Sequence, residues 1–211
     1  MRVAARSRIL AVTSVAGTAL LGLSFSAEPG SRRFYGYSLS LAGTWLAGGL
    51  SAGAGPPGPP RPGVVSPVLT GAGAFGGFYA AALVARRIPP LRGPISSVLR
   101  YAHQGSDRKV LITTLVNGAA EEVFFRGALY RTLDRPVPQS TAGYVLATCA
   151  TGNPALALAS GVMGIVLARQ RQNSGGLQAP ILTHLTWSAL MLRYLPSLFP
   201  PSEILPGERE E

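Results

Sequence analysis

Apolar residues in this chain gather into long runs rather than alternating with polar ones, and arginines, prolines and glycines punctuate the runs. Runs of that length predict helices, not strands. Residues 9–26 form the first, preceded by Arg2, Arg6 and Arg8. The order of charge then apolar core predicts an uncleaved first helix. A secretory leader ending at Ser24-Phe25-Ser26 has the same outline. Residues 37–55, rich in Gly, Ala and Ser, predict a second helix. The stretch GPPGPPRPG at residues 55–63 ends it, since proline lacks a backbone donor and favours the extended polyproline conformation. It predicts a solvated connector.

Residues 68–85 are the third run, closed by Arg86-Arg87 and Pro89-Pro90. Residues 95–104 mix an apolar stripe with Arg100, the pattern of a helix lying at an interface. Residues 110–130 make a fourth run of about 31 Å, which matches a bilayer core. Residues 141–151 and 155–168 follow, split by Gly152-Asn153-Pro154. Both fall short of the roughly 17 residues needed to cross untilted. Either the helices extend beyond their apolar cores or they are broken where protein covers them. Ala157 with Gly161, and Ser160, Gly164 and Ala168, repeat at four-residue spacing and predict a close helix contact. Residues 179–198 are the last run, and PPSEILPGEREE from Pro200 predicts a disordered tail. No internal repeat is visible. The expected fold is an all-α polytopic membrane bundle of roughly six to eight helices.

Composition agrees. Only 13% of residues are charged and 47% are apolar, while 26 glycines and 18 prolines hold the mean hydropathy to +0.27. Net charge is +10, and 18 of the 19 basic residues are arginine. A basic patch can bind nucleic acid, but these arginines flank apolar runs: Arg6 and Arg8, Arg86 and Arg87, Arg169 and Arg171. That placement predicts anionic lipids as partners and no nucleic acid. Orientation stays open, because alternating the runs across a bilayer puts eight basic residues on each side. The single Cys149 excludes an internal disulfide and a multi-cysteine zinc site, and is expected to be a small buried hydrophobe.

The fourth run contains GAAEEVFFRG, whose Glu121, Glu122 and Arg126 are expensive in hydrocarbon. At about 2.5–3.5 kcal/mol each they cost at most roughly 7–10 kcal/mol, against about 0.3–0.6 returned per leucine-like residue. Their face must therefore look into protein. Glu122 and Arg126 are four apart and can pair. Glu121 projects about 100° away and has no partner in its own helix. It either meets a polar group on a neighbour or acts as a general base toward water. In THLTWS, His184 and Ser188 share a helix face and could donate hydrogen bonds to a developing oxyanion.

EEVFFR fits the E-E-x-x-x-R motif of the CPBP intramembrane proteases. That family includes the type II CAAX prenyl endopeptidases and the bacterial abortive-infection and bacteriocin-immunity proteins. GVMGIVLARQRQNSGGLQAPILTHLTWS resembles the family's glycine-bearing helix, loop and API-x-x-H final helix. The resemblance covers roughly residues 110–195. It implies residues 1–107 as variable spans and connector, 108–198 as protease core and 199–211 as tail. It implies Glu121 as the water-activating carboxylate, with Glu122 and Arg126 holding the site. His184 matches the histidine of an H-x-x-x-N/D motif, and Ser188 stands where Asn or Asp is usual. Members also carry an F-x-x-x-H between these motifs. Here the matching region is YVLATCATGNPAL, and the chain's two histidines are His103 and His184. By position Thr148 or Asn153 takes the vacancy, Asn153 as an orienting group.

Zinc is what the family leads one to expect, yet Glu121, His184 and a neutral amide make a poor ligand set. The implied activity is intramembrane endopeptidase action by glutamate-activated water, on a membrane-associated peptide or protein, in a multi-pass protein of the cell membrane. A catalytically inactive relative serving as a binding or scaffold protein is the alternative, and a proton relay is a third class. The Arg-, Gly- and Pro-rich composition suggests a GC-rich bacterial genome, and nothing implies a prenylated substrate. The question posed to the structure is which group faces Glu121: His103, Thr148, Asn153 or none.

Overall fold

A computed structural model describes residues 3–55, 63–105 and 107–200. Arg2, Arg61, most of the proline-rich connector and the tail from residue 201 lie outside the described residues. The described residues form eight α-helices and no strand. These are α1 (Val3–Ser26), α2 (Arg32–Ser51), α3 (Val65–Ala85), α4 (Pro89–Gln104), α5 (Asp107–Glu121), α6 (Pro136–Cys149), α7 (Pro154–Ser174) and α8 (Gln178–Tyr194). From α5 the chain runs directly into a π-helical stretch, Glu122–Leu129, and a short 3-10 turn, Tyr130–Thr132.

Helix ends follow local chemistry. The Ser31 hydroxyl accepts the Phe34 amide and starts α2. Proline occupies the first turn of α4, α6 and α7, where its missing N–H is not needed. Gly175 ends α7 in the left-handed conformation that glycine adopts freely. These caps resolve one of the two short runs. α7 has 21 residues and is unbroken, lengthened mainly by the polar turns after residue 168, whereas α6 gains a turn at its N-terminus but at 14 residues stays short of a full crossing.

The helices pack as hairpins around α5. α1 pairs with α2, α3 with α8, and α6 with α7, while α5 meets α2 and α8. Small residues set these crossings. A Cβ on Gly17 would overlap the indole of Trp45, and one on Gly164 would lie 2.7 Å from the Thr141 side chain. Ser160, Gly164 and Ala168 are the buried row of α7. Trp45 lies at the centre of the largest apolar cluster, its ring 4.6 Å from Phe124 and 5.0 Å from Phe125 between centroids. α4 is tied across the ends of other helices. The Tyr101 hydroxyl donates to the carbonyls of Phe25 and Ala27, and His103 bonds the Phe199 carbonyl at 3.0 Å.

The distribution of polarity is inverted relative to a water-soluble domain. Leu146 and Leu158 are 72% and 73% exposed, whereas Glu122 and Arg126 have no exposure. By length and composition α1 and α3 can cross a membrane, and both turn large aliphatic side chains outward, among them Val12, Val15, Leu69 and Val84. Cys149 departs from expectation: it is exposed at the C-terminus of α6.

Because Gly17 is held against Trp45, Gly17→Val should destabilise the fold by about 1–3 kcal/mol through overpacking. Gly43→Val, at a glycine with nothing within 4 Å, should change it by less than about 0.5 kcal/mol. Thermal unfolding of the two variants in detergent separates these outcomes. Equal losses would show that the α1–α2 crossing does not depend on close approach.

Candidate active site

The site forms where α5 passes into the π-helical stretch. There backbone bonds run from i to i+5 and the helix widens, a feature that recurs at functional positions. Every residue from Glu122 to Ala128 is buried, because α2, α6, α7 and α8 all touch this stretch. Some of its carbonyls take side-chain donors. Arg171 of α7 donates from Nε to the Arg126 carbonyl at 3.0 Å, and Arg6 of α1 reaches the Ala128 carbonyl. Arg131 similarly donates to the Gly53 carbonyl at 2.9 Å. Three arginines that flank apolar runs thus also brace the backbone.

Within this enclosure Arg126 Nη1 donates to Glu122 Oε1 at 3.1 Å, the pairing expected at four-residue spacing. Nη2 donates to the Gly164 carbonyl of α7 at 3.3 Å. The same Glu122 oxygen takes His184 Nδ1 of α8 at 2.9 Å. A carboxylate only accepts, so His184 carries its hydrogen on Nδ1, and Nε2 is the nitrogen left for chemistry. The imidazole passes the Gly118 backbone, with a built Cβ 3.5 Å from Nε2. Ser188 is buried one turn further along the same face of α8. Glu122 Oε2 and Arg126 Nε are buried without a protein partner.

Glu121 is different: it is only partly buried, and it turns away from the pair toward α6. The Tyr144 hydroxyl donates to its Oε2 at 2.9 Å. The Tyr144 ring also covers Arg126, with the guanidinium carbon 4.6 Å from the ring centroid, and packs on the edge of Phe125 at 5.1 Å. Tyr144 is therefore the group facing Glu121, and none of the residues weighed from sequence holds that place. Its signal was present but indirect. It begins YVLATCATGNPAL and stands four before Thr148, on the same helix face.

The other candidates are engaged elsewhere. Thr148 turns its hydroxyl back to the Tyr144 carbonyl of its own helix at 2.8 Å. Asn153 caps α7 by accepting the Ala155 and Leu156 amides, and its Nδ2 donates to Pro94 O and Ser97 Oγ of α4. Its amide is fully used in joining helices. His103 is held by Phe199.

Residues 108–190 match the family model described as type II CAAX prenyl endopeptidase Rce1-like. This segment is an Rce1-like domain, of the CPBP family. No curated protein and no solved structure matches the chain. The Rce1-like domain holds α5, the π-helical stretch, α6, α7 and most of α8, and with them Glu121, Glu122, Arg126, Tyr144, His184 and Ser188. The family is membrane-embedded and proteolytic, and outside this segment α1 and α3 are long and apolar enough to cross a membrane, which supports a membrane protein.

Zinc does not suit the residues present. A catalytic zinc takes about three protein ligands, and among the described residues no three His, Cys, Asp or Glu side chains converge. Glu122 Oε1 already accepts both Arg126 and His184, and a phenol stands over Glu121. No step below runs through a metal.

Removing Arg126 would leave Glu122 sealed and short of its cation. Arg126→Ala should lower stability by about 3–5 kcal/mol. Arg126→Lys should recover little, since one ammonium cannot reproduce the fork that reaches both Glu122 and Gly164. Unfolding midpoints in detergent test this, and a lysine variant as stable as the wild type would contradict it.

Proposed function

We propose that the protein is a multi-pass endopeptidase of a bacterial cell membrane that hydrolyses a membrane-associated peptide or protein by glutamate-activated water. The observation that carries this reading is the division of labour between adjacent carboxylates. Glu122 is sealed and bonded to Arg126 and His184, whereas Glu121 is partly open and bonded only through Oε2. A sealed, paired carboxylate organises; an accessible one can accept a proton.

In the proposed reaction Glu121 takes a proton from water as the water oxygen bonds to the scissile carbonyl carbon. The carbonyl oxygen becomes an oxyanion. His184, protonated and held by Glu122 through Nδ1, donates to it from Nε2, and Ser188 supplies a second donor. Two carboxylates against one guanidinium leave one negative charge, which the imidazolium balances. As the C–N bond breaks, the proton on Glu121 passes to the departing nitrogen, giving a carboxylic acid and an amine. Asn153 has no part in this scheme, because capping α7 and holding α4 occupy its amide. Arginines at the ends of the helices would meet anionic headgroups.

A second reading, a membrane binding or scaffold protein without catalysis, draws support from Thr148. Its hydroxyl is returned to its own helix where an imidazole would be expected. The two readings separate on one comparison. Wild type and Glu121→Gln are reconstituted in liposomes with a quenched-fluorescent peptide library. Glu121→Gln should lose cleavage by at least about 100-fold, the usual scale for a positioned acid–base group, while remaining in the membrane fraction. Equal rates would refute the glutamate mechanism, and no cleavage by wild type would favour the scaffold.

A further inference from the structure

A glutamate side chain has three rotatable bonds, and Glu121 receives no restraint from its own helix. A partly open carboxylate in that situation distributes over several rotamers. A base that must meet a water at hydrogen-bond distance loses rate when it is misplaced by an ångström, by as much as about 100-fold. Something must select one rotamer.

We infer that Tyr144 is the positioning residue for Glu121, taking the orienting task for which no second imidazole stands at the site, His103 being held by Phe199. Its hydroxyl holds Oε2 at 2.9 Å and leaves Oε1 for water. The ring cannot swing away, since it lies on the Arg126 guanidinium at 4.6 Å and against Phe125. Arg126 is in turn fixed by Glu122 and by the Gly164 carbonyl of α7. One continuous set of contacts therefore runs from α7 through Arg126 and Tyr144 to Glu121. The sealed ion pair determines where the open carboxylate points. Tyr144 touches no reacting atom in this scheme and acts through Glu121. The carboxylate exchanges no proton with it.

The inference rests on the hydrolytic reading above, so its test has one arm that needs no substrate. Infrared difference spectra between wild type and Glu121→Gln isolate the Glu121 carboxyl bands in the reconstituted protein. Tyr144→Phe, which keeps the ring on Arg126, should displace those bands, and Thr148→Val should leave them in place. In the kinetic arm, with a peptide from the library that wild type cleaves, Tyr144→Phe should lower kcat by about 30- to 100-fold. KM and the unfolding midpoint should stay near wild type, a split that a merely structural tyrosine would not produce. Bands unmoved in Tyr144→Phe overturn the contact. Bands displaced with kcat intact overturn the positioning role and leave the hydrolase standing. Glu121→Gln cleaving like wild type, or wild type cleaving nothing, removes the hydrolytic reading and the catalytic consequence of Tyr144 with it.

Discussion

A guanidinium with no access to solvent has to find every partner inside the protein, and the architecture around Arg126 follows from that demand. It needs a carboxylate, which Glu122 supplies one turn earlier, and a carbonyl, which α7 supplies at Gly164, where the bare backbone also closes on Thr141 of α6. It needs an aromatic face, which Tyr144 supplies. α5, α6 and α7 are thereby held to one point, and α8 joins through His184 on the same Glu122 oxygen. Apolar packing alone discriminates weakly between helix arrangements in lipid, because lipid tails are as apolar as leucine. A sealed charge admits far fewer arrangements.

The Rce1-like segment covers residues 108–190, and the remaining helices support it in distinct ways. α2 brings Trp45 against Phe124 and Phe125 and so backs the π-helical stretch, with Tyr144 on another edge of Phe125. α1 closes on α2 through Gly17. α3 runs beside α8, where Thr183 donates to the Pro67 carbonyl two positions after Val65 opens α3. α4 spans the ends of its neighbours through Tyr101, His103 and its bonds from Asn153. The candidate site sits in the second half of the chain, and its rigidity draws on both.

How much of this could be read from the sequence depended on the range of the interaction concerned. The Glu122–Arg126 pair was legible because four-residue spacing on a helix is local geometry. His184 was legible as a candidate, but its bond to Glu122 crosses 62 positions and no periodicity encodes it. Tyr144 is hidden from a sequence reading because the family motif points to an imidazole, while Glu121 takes only a donor. Asn153 was misleading for a related reason. Asn before Pro is a strong start signal for a helix, and the cap used the amide that a catalytic role would have needed. The lengths of α6 and α7 were underestimated because apolar runs mark where a helix is buried in lipid or protein, whereas proline and capping residues mark where it begins. Nothing in EEVFFRG announced the change from α- to π-helix.

That change has a consequence for the length of the chain. A π-helical stretch is, in effect, an α-helix carrying surplus backbone, kept open by neighbours that bond its carbonyls. Loss of one residue inside Glu122–Leu129 would let the ladder close as ordinary α-helix with the flanking turns nearly in register, because the surplus residue is what the widening absorbs. The widened face itself would be lost, and with it the spacing at which Arg171 and Arg6 reach the Arg126 and Ala128 carbonyls. The number of residues in this stretch is thus a constraint of its own, for the opening beside the two carboxylates is stored in a count.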